Sequence, residues 1–153
     1  MNVQDFILPM GDAQRVLIGS SGKLGPVDFA RGLLAIVAVN IVFSILVLVP
    51  GLGMIFGLLG LLVALASIYA WVCIFSKRFH DAGKSGWMTL AAIGAAIVIS
   101  IILNLVLNPI FGVDMSSLAS MQTMGAGMVF KNILSTIIVN GALGFYMFRL
   151  PSQ

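Results

Sequence analysis

The chain has 153 residues, enough for one ordinary domain. However, 60% of them are apolar and only 8% charged, and the mean hydropathy is +1.14; a soluble domain is about 45–50% apolar and about 25% charged. So few charges cannot cover that much apolar surface in water, which excludes a soluble fold and predicts an all-α, polytopic membrane protein. The net charge of +3 contains no basic patch interleaved with aromatic residues, so it gives no nucleic-acid surface and is informative only by position. Cys73, the only cysteine, excludes an intramolecular disulfide and leaves no Cys/His pair for zinc. No cofactor is implied.

Residues 1–31 form a mixed segment ahead of the four-helix membrane domain expected over 32–153. Asp5, Pro9, Asp12 and Arg15 interrupt the region where a signal peptide needs a continuous apolar run, so the first span is expected to direct insertion itself. Asp12, Arg15, Val16, Leu17 and Ile18 suit either a short amphipathic turn on the membrane surface or a loose tail. Pro26 and Asp28 read as a helix start.

Four spans follow, at about 32–49, 54–76, 88–107 and 129–148. Each approaches the ~20 apolar residues that cross a bilayer. Pro50-Gly51-Leu52-Gly53 is an uncharged turn that sends the second span back antiparallel. Gly53, Gly57 and Gly60 give that span a small-residue face for helix packing. Asn40, Asn104 and Asn140 are polar residues within otherwise apolar helices. They suit interhelical hydrogen bonds worth ~0.6–2 kcal/mol each or, as an alternative, the lining of a polar path. Residues 108–128 connect the third and fourth spans. Met115, Met121, Met124 and Met128 lie there with the spacing of one apolar helix face, or of a soft-metal site.

With four spans, Arg15, Lys23, Arg31, Lys77, Arg78, Lys84 and Arg149 share one side of the membrane, and Lys131 stands alone on the other. Positive charge stays on the cytoplasmic side, so both ends and the central loop are expected to face the cytoplasm.

That loop, 77–87, is the longest markedly polar run after residue 31. It holds the only His and one of the two Trp. Lys77 and Arg78 complement a helix C-terminus and can reach lipid phosphates. Ser85 is placed to N-cap the third span, Trp87 suits the interface belt, and Gly83 and Gly86 permit a positive φ. Asp81 can bond turn N–H groups or pair with Arg78 or Lys84.

The run Arg78-x-His80-Asp81-x-Gly83-Lys84-Ser85-Gly86-Trp87, between two apolar spans, resembles the signature of the DUF805 family of small bacterial inner-membrane proteins. Gly22-Lys23-Leu24 and Phe29 are similar to the Gly-Arg-Ile and Phe-Trp elements before that family's first helix. Ala30 here replaces the Trp, and Pro26 falls where a basic residue is common. The resemblance covers about residues 22–110. It implies a multi-pass protein of the bacterial cytoplasmic membrane, and no activity.

Gly83-Lys84-Ser85 also invites a P-loop reading, but Arg78 stands where the first glycine of that motif belongs. His80 and Asp81 alone are too few for a closed metal site or an acid–base pair without another chain. Two readings remain: that the run only fixes the helix turn at the interface, or that a non-enzymatic protein binds an anionic lipid or a partner protein through Arg78, His80, Asp81, Lys84, Ser85 and Trp87. Alternatives are a subunit of a small homo-oligomeric transporter or channel, and a lipid-acting enzyme that would draw on Asp28.

Overall fold

A computed structural model describes residues 7, 10–18, 22–112 and 125–152. The helices are α1 (Met10–Leu17), α2 (Pro26–Leu46), α3 (Gly53–Asp81), α4 (Met88–Ile110) and α5 (Ala126–Phe148). The last four are long and apolar enough to cross a membrane, which makes this a four-span, multi-pass membrane protein. Most of their large apolar side chains, such as Leu58, Leu62, Leu65, Ile101 and Leu105, are exposed, as lipid-facing residues must be.

Most helix ends lie beyond expectation, and the end of α2 falls short of it. α2 starts at Pro26, whose missing N–H costs nothing in the first turn, and it stops at Leu46 before a turn that Gly51 (φ +80°) makes possible. The boundary expected at residue 31 therefore falls inside a helix. α3 continues five residues past Ser76. Its 29 residues reach about 43 Å, some 13 Å more than a hydrocarbon core of ~30 Å. Charged side chains do not stop a helix whose carbonyls find capping partners.

The core is confined to one end of the bundle. Cys73 through Phe79 are all buried, enclosed by the start of α2, the end of α5 and by α1. Phe29 meets Phe75 edge-on at 5.1 Å, and Trp71 stacks on Phe75 at 3.7 Å. Val16 of α1 packs fully buried into this cluster, so α1 docks on the bundle. Arg15 donates to Asp28 at 3.1 Å, and Arg31 reaches the other oxygen of Asp28 at 3.3 Å. The hydrogen bond and charge of Asp28, with help from Asp12, raise the pKa of Arg15 above its ordinary value.

Helix proximity depends on glycines other than the expected ones. A Cβ on Gly144 would lie 2.5 Å from Leu33 Cδ2, and one on Gly32 would lie 2.8 Å from Val16 Cγ1. Gly57 and Gly60 have nothing within 4 Å of that position and line a cavity with Asn40 and Ser44. Gly53 crowds the Val47 carbonyl of its own turn. Each of the three asparagines bonds across helices. Asn40 donates to Ser67 Oγ at 2.8 Å, Asn140 accepts from the Trp71 indole at 3.1 Å, and Asn104 accepts from Lys131 Nζ at 2.8 Å.

Candidate functional site

The polar end of α3 is helix where a loop was expected, and helical spacing sorts its side chains onto different faces. Lys77 turns toward α1. Its ammonium donates to the carbonyls of Arg15 (2.6 Å), Val16 (3.2 Å) and Ile18 (3.2 Å), which engages all three of its hydrogens. Arg78 turns toward α5. Its side chain is 0% exposed, Nε donates to Met147 O at 3.1 Å, and Nη2 donates to the carbonyls of Phe148 and Leu150. Nη1 donates to Asp81 and, at 3.1 Å, to Ser152 Oγ. The Ser152 hydroxyl in turn donates to Asp81 at 2.6 Å. Two adjacent cations of α3 thus cap the C-termini of two other helices, where the dipole favours positive charge.

α3 ends in a Schellman motif, which accounts for part of the signature residues. Lys84 N–H donates to Phe79 O at 2.8 Å and Gly83 N–H to His80 O at 3.1 Å, with Gly83 in the left-handed region at φ +67°. Gly86 serves differently from expectation, because its φ is not positive. A Cβ there would lie 2.7 Å from His80 Nε2 and 3.0 Å from Ser76 Oγ, so glycine gives those groups space. Ser85 does not cap α4 with its side chain. Its carbonyl accepts from Met88 N–H at 3.0 Å, and its hydroxyl accepts a long contact from Trp87 N–H at 3.4 Å.

Ser76 and His80, one turn apart, face the start of α4. With Ser85, Gly86, Trp87 and Thr89 they line a pocket of about 650 Å³. Trp87 is 79% exposed at its rim. Thr89 is 4% exposed, and its hydroxyl, buried among the described residues, has no hydrogen-bond partner. A buried unpaired hydroxyl costs about 1–3 kcal/mol, a cost that Thr89 carries beside the pocket. Among the described residues no carboxylate lines the pocket, because Asp81 points to Arg78. Lys84, half-exposed, stands on the adjoining turn.

The signature residues and the elements before α2 thus fold into one packed end, with Leu24 and Phe29 in its core. The family model for "Protein of unknown function (DUF805)" matches residues 17–113, the larger part of the chain. The chain belongs to the DUF805 family. No curated protein and no solved structure matches it. The DUF805 match ends before α5, so the carbonyls that hold Arg78 lie outside the matched region.

Among the sequence-derived site residues, the structure brings His80, Ser85 and Trp87 to one pocket. It turns Arg78 and Asp81 away from that pocket, toward the end of α5 and Ser152. Ser76 and Thr89 were missed, although Ser76 and His80 carry the i, i+4 spacing of one helical face once α3 is extended. Met115, Met121 and Met124 lie outside the described residues. Among the described residues, no three His, Cys, Asp or Glu side chains come together.

Proposed function

We propose that this DUF805 protein is a binding component of the bacterial cytoplasmic membrane that holds an anionic lipid headgroup where α3 meets α4. The observation that carries the reading is the pocket lining. Ser76, His80 and Ser85 offer hydrogen-bond donors, the Thr89 hydroxyl lies buried and unpaired beside them, and among the described residues no carboxylate lines the pocket to repel an anion. Lys84 adds charge beside it. The same end of the bundle carries Arg15, Lys23, Arg31 and Arg149, and by the retention of positive charge it faces the cytoplasm with both ends of the chain. There the leaflet is rich in anionic lipid. In this reading Arg78 and Asp81 tie α3 to the end of α5 and Ser152, away from the pocket, and Trp87 anchors its rim.

Native mass spectrometry of the protein released with its own lipids tests this, wild type against His80→Ala/Lys84→Ala. Loss of a bound anionic lipid from a folded double variant supports the headgroup reading. Identical lipid retention overturns it, and loss of a protein chain instead identifies a partner-binding face.

A second reading, a homo-oligomeric transporter or channel subunit, draws on one observation. Asn40 and Asn140 line the same cavity of about 410 Å³ within the span, while Asn104 lies apart with Lys131. It requires more than one copy per particle in the same spectra, and a monomer counts against it.

A further inference from the structure

Val72 and Ile93 line both the pocket at the end of α3 and the cavity beneath it, so the two adjoin. The upper cavity is the polar one, with two serines, His80 and Thr89 in its wall. The lower one is mostly apolar, walled by Ile68 and Trp71 of α3 and by Ala96 and Ile97 of α4, and backed by Ile36 of α2 and Val139 of α5. α3 and α4 meet sparsely along it, and α4 buries only Thr89, Ala92 and Leu107. From Ser76 down to Ala64, the deepest α3 residue of the lower cavity, α3 descends about 18 Å at ~1.5 Å per residue. One leaflet of a ~30 Å hydrocarbon core is about 15 Å deep, so the stretch below Ser76 is close to one leaflet deep, with His80 above it at headgroup level.

The amide and indole N–H groups of Asn40 and Trp71 at the base of the groove already have partners. Both Asn40 N–H groups are engaged, by Ile36 O and Ser67 Oγ, and the Trp71 indole N–H by Asn140. A polar solute would find few free donors there, whereas a hydrocarbon chain asks for none.

We infer that the occupant is one whole membrane lipid, its anionic headgroup in the Ser76–His80–Thr89 pocket and its acyl chain lying in the groove between α3 and α4. This rests on the headgroup reading above and adds where the chain lies.

Trp71 stands in the groove wall and the other tryptophan, Trp87, at the pocket rim, so in the otherwise unaltered protein bromine near the end of an acyl chain quenches Trp71 in preference to Trp87. The protein is placed in phosphatidylcholine nanodiscs containing a minor fraction of phosphatidylglycerol brominated near the end of its acyl chain. The expected result is severalfold stronger quenching of Trp71 by brominated phosphatidylglycerol than by brominated phosphatidylcholine at the same fraction. His80→Ala removes that excess from above, and Ala96→Phe removes it by filling the groove, with helical circular dichroism unchanged. If Ala96→Phe does not fold, Ala64→Phe blocks the same groove further from the pocket.

Mass spectra showing His80-dependent lipid retention, together with no excess quenching of Trp71, overturn the inference and leave the headgroup reading standing. Excess quenching that survives a folded groove-filling variant does the same. If neither retention nor excess quenching appears, both readings fall.

Discussion

Arg78 and Asp81 stand one turn apart at the buried end of α3, joined by a charge-assisted hydrogen bond that Ser152 closes from the segment after α5. Nothing else on the guanidinium reaches solvent.

Breaking that pair from one side leaves a buried charge without its partner, at a cost of about 3–5 kcal/mol. Arg78→Ala is therefore expected to destabilise the protein by that amount in unfolding titrations with a denaturing detergent. Arg78→Lys recovers little, because an ammonium cannot reproduce the guanidinium fork. Ser152→Ala removes one neutral partner and costs about 1 kcal/mol. Equal stability of Arg78→Ala and wild type would show that the clasp contributes nothing.

Gly83 and Gly86 are three residues apart and respond differently to alanine. Gly83→Ala strains a left-handed cap and lowers stability by about 1 kcal/mol or more, with lipid retention kept in whatever remains folded. Gly86→Ala keeps its backbone but drives a methyl into His80 and Ser76, so it reduces lipid retention more than it reduces stability. Parallel melting curves and native mass spectra separate the two.

Gly144→Ala sets a methyl against Leu33 and is expected to cost about 1–3 kcal/mol through overpacking. Gly57→Ala and Gly60→Ala meet open space and gain about 0.5–1 kcal/mol of helix propensity each. The same unfolding titrations give the order, and a costly Gly57→Ala would place a neighbour where the structure has none.

Orientation can be read with a reporter fused after Ser152 that is active only in the cytoplasm. It is expected to be active in wild type and in Lys131→Met, since Lys131 is the lone cation of the opposite end. A silent reporter in both would invert the assignment of the two faces.

Fold class and span count were legible because burial in lipid leaves an unmistakable apolar length in Leu33–Val49 and in the stretches after it. The polar run at 77–87 was equally visible, yet it read as a loop. Five of its residues are helical because the partners that make their burial tolerable are carbonyls of Arg15, Val16 and Ile18 before α2, and of Met147, Phe148 and Leu150 at and just past the end of α5. Backbone acceptors far along the chain leave no residue-type signal. Gly83 was readable from its turn chemistry. Gly86 was not, since its role is set by the position of His80 in space. The glycines of Gly53-x-x-x-Gly57 looked like a packing motif, but spacing cannot say which neighbour comes close, and that neighbour relationship went to Gly144 and Leu33.

Lys77 and Arg78 reach backward and forward along the chain by very different routes, and synthesis makes that order matter. The acceptors of Lys77 precede it by 59 to 62 residues, so they are already made when α3 enters the membrane. Those of Arg78 follow it by 69 to 74. Until α5 is placed, the guanidinium has only Asp81 within the chain. The packed end is therefore completed last, and a ribosome stalled before residue 147 leaves an unsatisfied arginine at the membrane interface, a mark by which an unfinished copy differs from a finished one.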